Sequence, residues 1–240
     1  MDLRLFKNIV ILTGAGISAE SGIRTFRDQD GLWEEHRIED VATPEAFARD
    51  PVLVQRFYNM RRAQLKDTKI QPNAAHLALA ELERQWEGNF LLVTQNVDNL
   101  HRRAGSKNLL HMHGRLDRVF CLYCDEHFEW TEDLAVDEPC LHCGRKGGVR
   151  PDIVWFGEMP HHMEEIYEAL DKADYFVSIG TSGNVYPAAG FVRLAWKAKK
   201  IEINLKDTEI SSAFEQHFVG PASEEVPRFI KEFLSDHQPE

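Results

Sequence analysis

Three groups of residues in this chain have types and spacings that could do chemistry. The first is Gly14-Ala15-Gly16, which follows the apolar run at 9–12 and leads into a helix start. Glycines there let the backbone turn sharply and approach a pyrophosphate, and free N–H groups at a helix start attract the anion. The spacing reads G-x-G-x-x-A with Ala19 in the third small position, a fingerprint that says little alone. In a dehydrogenase a helix would follow, then a second strand ending in an acidic residue for the ribose. Here the polar loop Ile23-Arg24-Thr25-Phe26-Arg27-Asp28 follows instead. The pattern therefore points to a dinucleotide site and away from ordinary hydride transfer.

The second group is the cysteines. All four fall in one window, as Cys121-x2-Cys124 and Cys140-x2-Cys143 with fifteen residues between the pairs. That spacing fits a two-knuckle zinc site closed by four thiolates, and a closed shell leaves the metal no open position for catalysis. Two disulfides are the alternative, which a reducing compartment disfavours. His127 and His142 lie nearby, but a full thiolate set makes them bystanders. The third group is Tyr58 and Arg61, at i, i+3 on one helix face. The apolar stripe of that helix runs Val54, Phe57, Tyr58, Leu65, and Arg61 falls in its middle. A cation there is costly to bury unless it meets an anion, either a ligand's or an internal Asp or Glu. Arg62 sits at the edge of the stripe, where solvent is expected.

These groups need a scaffold, and the rest of the chain supplies a pattern for one. Residues 90–94, 174–179 and 200–205 are short apolar runs of the kind found in parallel strands buried on both faces. They end at Gln95-Asn96-Val97-Asp98, at Gly180-Thr181-Ser182 and at Asn204-Leu205. Helical segments are expected at 74–86, 163–172 and 187–199. Such alternation predicts an α/β fold, a Rossmann-like doubly wound parallel sheet whose ligand sits outside the carboxyl ends of the strands. Residues 30–72 look like a helix-rich insert and 116–149 like a zinc module. The two are expected to form a smaller domain beside a larger one made of 1–29, 73–115 and 150–240.

Composition sets the outer limits. The chain has 240 residues, 43% hydrophobic and 28% charged, with a net charge of −11. An acidic balance opposes nonspecific attraction to nucleic acid or anionic membrane. No apolar run approaches the ~20 residues of a membrane helix. The first six residues are too short and charged for a secretory signal, so a cytoplasmic location is the default expectation.

Taken together, the motifs resemble those of the sirtuin family of NAD-dependent protein-lysine deacylases. The resemblance covers nearly the whole chain. It includes Gly14-Ala-Gly-Ile-Ser18, Phe26-Arg27, Thr94-Gln-Asn-Val-Asp-Asn-Leu-His101 and His111-Met-His-Gly114. It continues through the paired Cys-x2-Cys, Val154-Trp-Phe-Gly-Glu158, Gly180-Thr-Ser182 and Asn204-Leu205. The pattern looks most like the bacterial branch that also handles acidic acyl groups.

The resemblance implies that NAD is consumed: the acyl-lysine carbonyl oxygen attacks the ribose carbon that carries nicotinamide. Asn96 and Asp98 match positions around the nicotinamide pocket. His113, just after an expected strand at 109–112, matches the general base that takes a proton from a ribose hydroxyl, giving deacylated lysine and O-acyl-ADP-ribose. His111 is expected to be structural. Gly14, Ala15, Gly16 and Ser18 match pyrophosphate contacts, with Phe26 and Arg27 closing over NAD. Gln95, Val97, Gly180, Thr181 and Ser182 match further cofactor positions. Asn204, Leu205 and Lys206 fall beside the adenosine ribose and Ala222 beside adenine. Lys206 departs from the acidic residue of many relatives.

For the substrate, the resemblance implies that Tyr58 and Arg61 form the Tyr-x-x-Arg signature for succinyl- or malonyl-lysine, with Ala42 leaving room. Val154 is expected to offer its carbonyl to the lysine Nε–H, and Phe156 to wall the tunnel. The peptide is expected to add as a strand between Gly157-Glu158 and Gly183-Asn184-Val185. Acyl-lysine proteins are thus the expected partners, with NAD as co-substrate and zinc as a structural ion. Other uses of such a chain are an NAD-dependent protein ADP-ribosyltransferase, a noncatalytic NAD sensor and a zinc-ribbon nucleic-acid binder. The acidic balance opposes the last.

Overall fold

The computed structural model describes residues 7–24, 32–33 and 36–237. The chain opens with β1 (Asn8–Thr13) and a single helical turn, α1 (Gly16–Ala19). A short hairpin of β2 (Leu32–Trp33) and β3 (His36–Arg37) leads into α2 (Ile38–Val41), α3 (Pro44–Arg49) and α4 (Pro51–Gln64). Then come α5 (Ala74–Gln85), β4 (Asn89–Thr94), α6 (Leu100–Ala104) and β5 (Leu109–His111). Three antiparallel strands follow, β6 (Gly114–Cys121), β7 (His127–Glu129) and β8 (Val149–Ile153). The remainder is α7 (Met163–Lys172), β9 (Tyr175–Ile179), α8 (Phe191–Leu194), β10 (Lys199–Asn204), β11 (Gln216–Val219) and α9 (Ala222–Asp236).

The large sheet is parallel, in the order β11-β10-β9-β1-β4-β5. Its strands read as unbroken apolar runs because both faces are covered. Ile9 and Ile11 of β1 pack with Leu79 and Leu82 of α5 and Phe229 and Phe233 of α9. Val10 and Leu12 face the other way, against Ile166 and Leu170 of α7 and Phe191 and Val192 of α8. The chain runs outward from β1 to β4 and β5, then returns to β9 on the opposite side. That reversal makes a topological switch point between β1 and β9, the place where doubly wound sheets bind ligands.

The antiparallel sheet, ordered β7-β6-β8, begins at Gly114 and ends at Ile153. It packs Leu116, Ile153 and Trp155 against Val54, Phe57 and Tyr58 of α4. A separate small core of Val119, Cys121, Leu134, Cys140 and Val149 lies around the cysteines.

Two expectations are corrected. The helix expected at 187–199 is a 3-10 turn (Ala188–Gly190) and the four-residue α8, because Lys199 and Lys200 pair with Tyr175 and Phe176 of β9. Sheet register there overrides helical continuity. The second correction is that β11 and α9, unmarked in the sequence pattern above, complete the sheet edge and cover one face. The apolar positions Val226, Phe229, Ile230 and Phe233 have helical spacing, but Pro227 interrupts them.

Candidate active site

The carboxyl ends of β1, β4, β9 and β10 open into one cleft of about 860 Å³. At its floor the β1–α1 turn touches the β9 turn backbone to backbone. A Cβ on Gly16 would lie 2.7 Å from Gly180 Cα, and one on Gly14 2.7 Å from Gly180 O. Gly180 has φ +61°, and a Cβ there would meet Ile17 N at 2.5 Å. These glycines are needed for strand-end packing. Gly14 N–H donates to Ile179 O at 3.0 Å and Gly16 N–H to Gly180 O at 2.9 Å. The free N–H groups expected at this helix start are therefore engaged at both glycines, and α1 is a single turn.

Above the glycines lies a buried polar network. Ser18 Oγ donates to Asp98 Oδ2 at 2.9 Å and accepts from Asn96 Nδ2 at 3.1 Å. Asn96 also donates to Gly14 O at 3.0 Å, and Leu100 N–H donates to Asp98 Oδ1 at 3.0 Å. Burial raises the Asp98 pKa, against the lowering effect of those hydrogen bonds. Beneath this layer, Asn96 N–H donates to Thr94 Oγ1, which also accepts from Thr13 Oγ1 at 2.8 Å. His101 Nε2 contacts Thr13 Oγ1 at 3.0 Å, and the His76 and His101 rings are 4.8 Å apart. Burial holds both imidazoles neutral, His76 down to about 4 and His101 well below its ordinary value.

His113 follows β5 at the centre of the cleft. Its Nδ1 lies 3.1 Å from Gln95 O. A carbonyl can only accept, so Nδ1 carries the proton and Nε2 keeps its lone pair. Burial lowers the pKa to about 4, opposed by the Gln95 hydrogen bond. His111 does the same for the next peptide, with Nδ1 3.2 Å from Asn96 O. The two imidazoles thus brace the 95–96 turn. Val154 N–H donates to His113 O at 3.0 Å, which sets the 154–158 segment beside the histidine. Gly114, with φ +83°, lets β6 pass β8 there, since a Cβ would lie 2.0 Å from Asp152 O.

The other expected residues also line this cleft. Ala15, Gln95, Val97, Thr181 and Ser182 lie along the strand ends, and Asn204, Leu205, Lys206 and Ala222 at the β10 side. Thr181 Oγ1 is 3.1 Å from Ser178 Oγ, and Asn204 Nδ2 donates to Thr181 O at 2.7 Å. Ala42, Tyr58, Arg61, Val154 and Phe156 line the opposite end. Phe26 and Arg27 lie outside the described residues.

At that opposite end Tyr58 is buried, and its oxygen accepts from Trp155 Nε1 at 2.8 Å. Burial pushes the phenol pKa up, so it stays protonated. Arg61 is half-buried, with its guanidinium carbon 5.5 Å from the Phe57 ring centroid. Arg62 is the correction here: it is buried, not solvated. It donates to Leu116 O at 2.9 Å and Asn59 Oδ1 at 2.7 Å, so it ties α4 to β6. Trp155, Leu116 and Ile153 line the cleft as well and carried no expected role. Trp155 was visible only as part of the Val154–Glu158 motif.

The four cysteine sulfurs all lie within 4.8 Å of one another. Cys121 and Cys143 are 3.8 Å apart and Cys124 and Cys140 3.7 Å apart, too far for disulfides. A tetrahedron with zinc–sulfur bonds of ~2.3 Å has edges of about 3.8 Å, so the donor set fits a closed zinc site. N–H groups of Tyr123, His142 and Cys143 point at Cys121 or Cys140 sulfur, as suits thiolates. His127 Nδ1 is instead 2.9 Å from Asp152 Oδ2.

Sheet, switch point and cleft define a doubly wound α/β protein with one open cleft across its strand ends. A family model described as the Sir2 family matches residues 14–187. A Bdellovibrio bacteriovorus protein named NAD-dependent protein deacylase is 88% identical over 234 residues, covering 98% of this chain and all of that one. A solved Sir2 homologue–NAD complex superposes with TM-score 0.85 at 39% identity, covering 98% of this chain and 95% of that one. A Sir2 homologue mutant with 2'-O-acetyl ADP ribose gives TM-score 0.86 at 38% identity, covering 100% and 99%. The chain belongs to the Sir2 family.

Proposed function

We propose that this chain, an NAD-dependent protein deacylase, removes succinyl and malonyl groups from lysine as well as acetyl groups. The observation that carries this is the continuity of one cleft, from the Gly14–Gly180 contact past His113 to Tyr58 and Arg61.

NAD supplies the ribosyl carbon that accepts the acyl oxygen as nicotinamide leaves. Asn96 and Asp98, wired together through Ser18, hold the nicotinamide end. His113 Nε2 takes a proton from a ribose hydroxyl; its neutrality above about pH 4 keeps it ready to do so. Gly14, Ala15, Gly16 and Ser18 face the pyrophosphate, and Thr181, Ser182, Asn204, Leu205, Lys206 and Ala222 face the adenosine half. Val154 O accepts the lysine Nε–H, and Phe156 flanks the alkyl chain. Tyr58 and Arg61 take the distal carboxylate, Arg61 as the charge and Tyr58 as a hydroxyl donor. Ala42 leaves the space for that head group.

Acyl-lysine proteins are the substrates. The four cysteines hold a structural zinc. Residues 30–72 and the antiparallel sheet of Gly114–Ile153 form the smaller domain, since the bounds expected at 116 and 149 would cut β6 and β8, and the rest of the chain forms the NAD-binding one. Among the described residues no helix is long and apolar enough to cross a membrane.

The test is incubation with NAD and matched acetyl-, succinyl- and malonyl-lysine peptides, following nicotinamide and peptide mass. One nicotinamide per acyl group lost is expected for all three. Loss of acetyl alone contradicts the acidic-acyl assignment, and a peptide that gains ADP-ribose contradicts deacylation.

A further inference from the structure

Trp155 lies against Tyr58 at the acyl end, and it is held more firmly than a lining residue needs. Its backbone N–H donates to Glu158 Oε2 at 2.8 Å. The same carboxylate takes both terminal nitrogens of Arg150, each at 2.8 Å. Arg150 is itself buried, donates to Ile153 O at 2.9 Å, and lays its guanidinium over the Trp155 ring at 3.5 Å from the centroid. Phe47 also packs against the ring, with centroids 5.5 Å apart. Main chain and ring are therefore both fixed, and what they present is the indole N–H, aimed at Tyr58 Oη.

A phenol oxygen has one proton and two acceptor positions. The indole N–H occupies one acceptor position. An oxygen that accepts a hydrogen bond is also a better donor, because bonds in a chain polarise one another. Burial keeps the phenol protonated, and a hydroxyl rotates to suit the acceptor it is offered.

We propose that Trp155 is a positioning residue for acidic acyl groups: its indole N–H sets the Tyr58 hydroxyl as a donor to the distal carboxylate that Arg61 pairs with. The Arg150–Glu158 pair acts one step further back, by holding the indole. The inference rests on the acidic-acyl assignment above and adds to it a residue outside the Tyr-x-x-Arg pair. A succinyl carboxylate uses the Tyr58 proton and an acetyl methyl does not. Loss of the indole N–H therefore weighs on the first substrate more than on the second.

Two variants test this. Trp155→Phe keeps an aromatic ring without the N–H. Replacing Trp155 by benzothienylalanine substitutes sulfur for the N–H at nearly unchanged shape, and it decides the matter if the Phe variant does not fold. The readout is the ratio of kcat/KM for succinyl- over acetyl-lysine in one peptide, with KM and kcat resolved. The ratio is expected to fall about fivefold, in KM more than in kcat, the scale of one hydrogen bond. In a Tyr58→Phe background the same replacement is expected to leave the ratio where it stands. A purely structural role lowers both substrates together, so an unchanged ratio overturns the inference, as does a full further drop in the Tyr58→Phe background. If the unsubstituted enzyme removes succinyl groups and needs Arg61 while the Trp155 variants keep the ratio, this inference alone fails. If it removes no succinyl group at all, the acidic-acyl assignment fails and this inference with it.

Discussion

At one end of the cleft the wall is main chain, and at the other it is side chains. Around Gly14, Gly16 and Gly180 two turns approach so closely that a single methyl meets backbone at 2.5–2.8 Å. Around Tyr58, Arg61 and Trp155 the wall is a phenol, a guanidinium and an indole, braced by Arg150 and Glu158. Backbone cannot yield without moving a strand, whereas side chains can be exchanged one by one. On the proposed reading, the end assigned to NAD is fixed by the fold, and the end assigned to the acyl group is where specificity can be set. His113 lies where the two meet.

Substitutions at each end and at their junction should act differently. The largest effect is expected at the junction: His113→Ala should lower kcat/KM for acetyl and succinyl peptides alike, by about 10³-fold. Unequal losses would place His113 in the acyl end instead. Next, Gly180→Ala should destabilise the protein by roughly 3 kcal/mol or more, because the new methyl meets Ile17 N and forces φ from +61°. Denaturant unfolding measures it, and a loss below about 1 kcal/mol would show that the turn can yield after all.

Acid should act on the shared floor. Burial depresses the folded-state pKa of His76, His111 and His113 to about 4, and that of His101 further. A histidine buried neutral contributes stability that is complete above its unfolded pKa of about 6.5 and is lost as pH falls through that value toward the folded pKa. Each such group should cost up to roughly 1.4 kcal/mol per pH unit in this window. Asp98, with its pKa raised, has the opposite sign. Unfolding curves from pH 7.5 to 5 should slope accordingly, and His76→Gln should flatten the slope. An equal slope in that variant would remove His76 from the account. The smallest effect concerns rate: kcat/KM should change by less than about a third between pH 8 and 6, where an imidazole of ordinary pKa would be roughly three-quarters protonated. A loss of that larger size would mean that His113 titrates normally.

Legibility in the sequence follows the same division. The glycine turn, the three polar strand ends and the cysteine knuckles are local patterns, and the structure assembles them at one switch point and one tetrahedral cluster. Less legible was whatever depends on partners distant in the chain. Trp155 and Tyr58 are 97 positions apart, so neither residue type nor spacing announces their hydrogen bond. Arg62 looks like a surface cation until Leu116 O, 54 positions away, takes its Nε–H. The engagement of Gly14 and Gly16 N–H by the β9 end is likewise invisible until the strand order is known. The chain leaves α8 at Leu194 and enters β10 at Lys199, whose partner Tyr175 is likewise distant in the sequence.

On the proposed reading, the acyl end selects acidic groups independently of the cofactor end. The most direct measurement is the succinyl-to-acetyl ratio of kcat/KM in Arg61→Met against the unsubstituted enzyme, with KM for NAD measured in the same series. We expect the ratio to fall about 50-fold, the scale of a desolvated charge pair, with KM for NAD shifting by less than about twofold. A ratio that stays put, or one that moves only together with KM for NAD, contradicts the account.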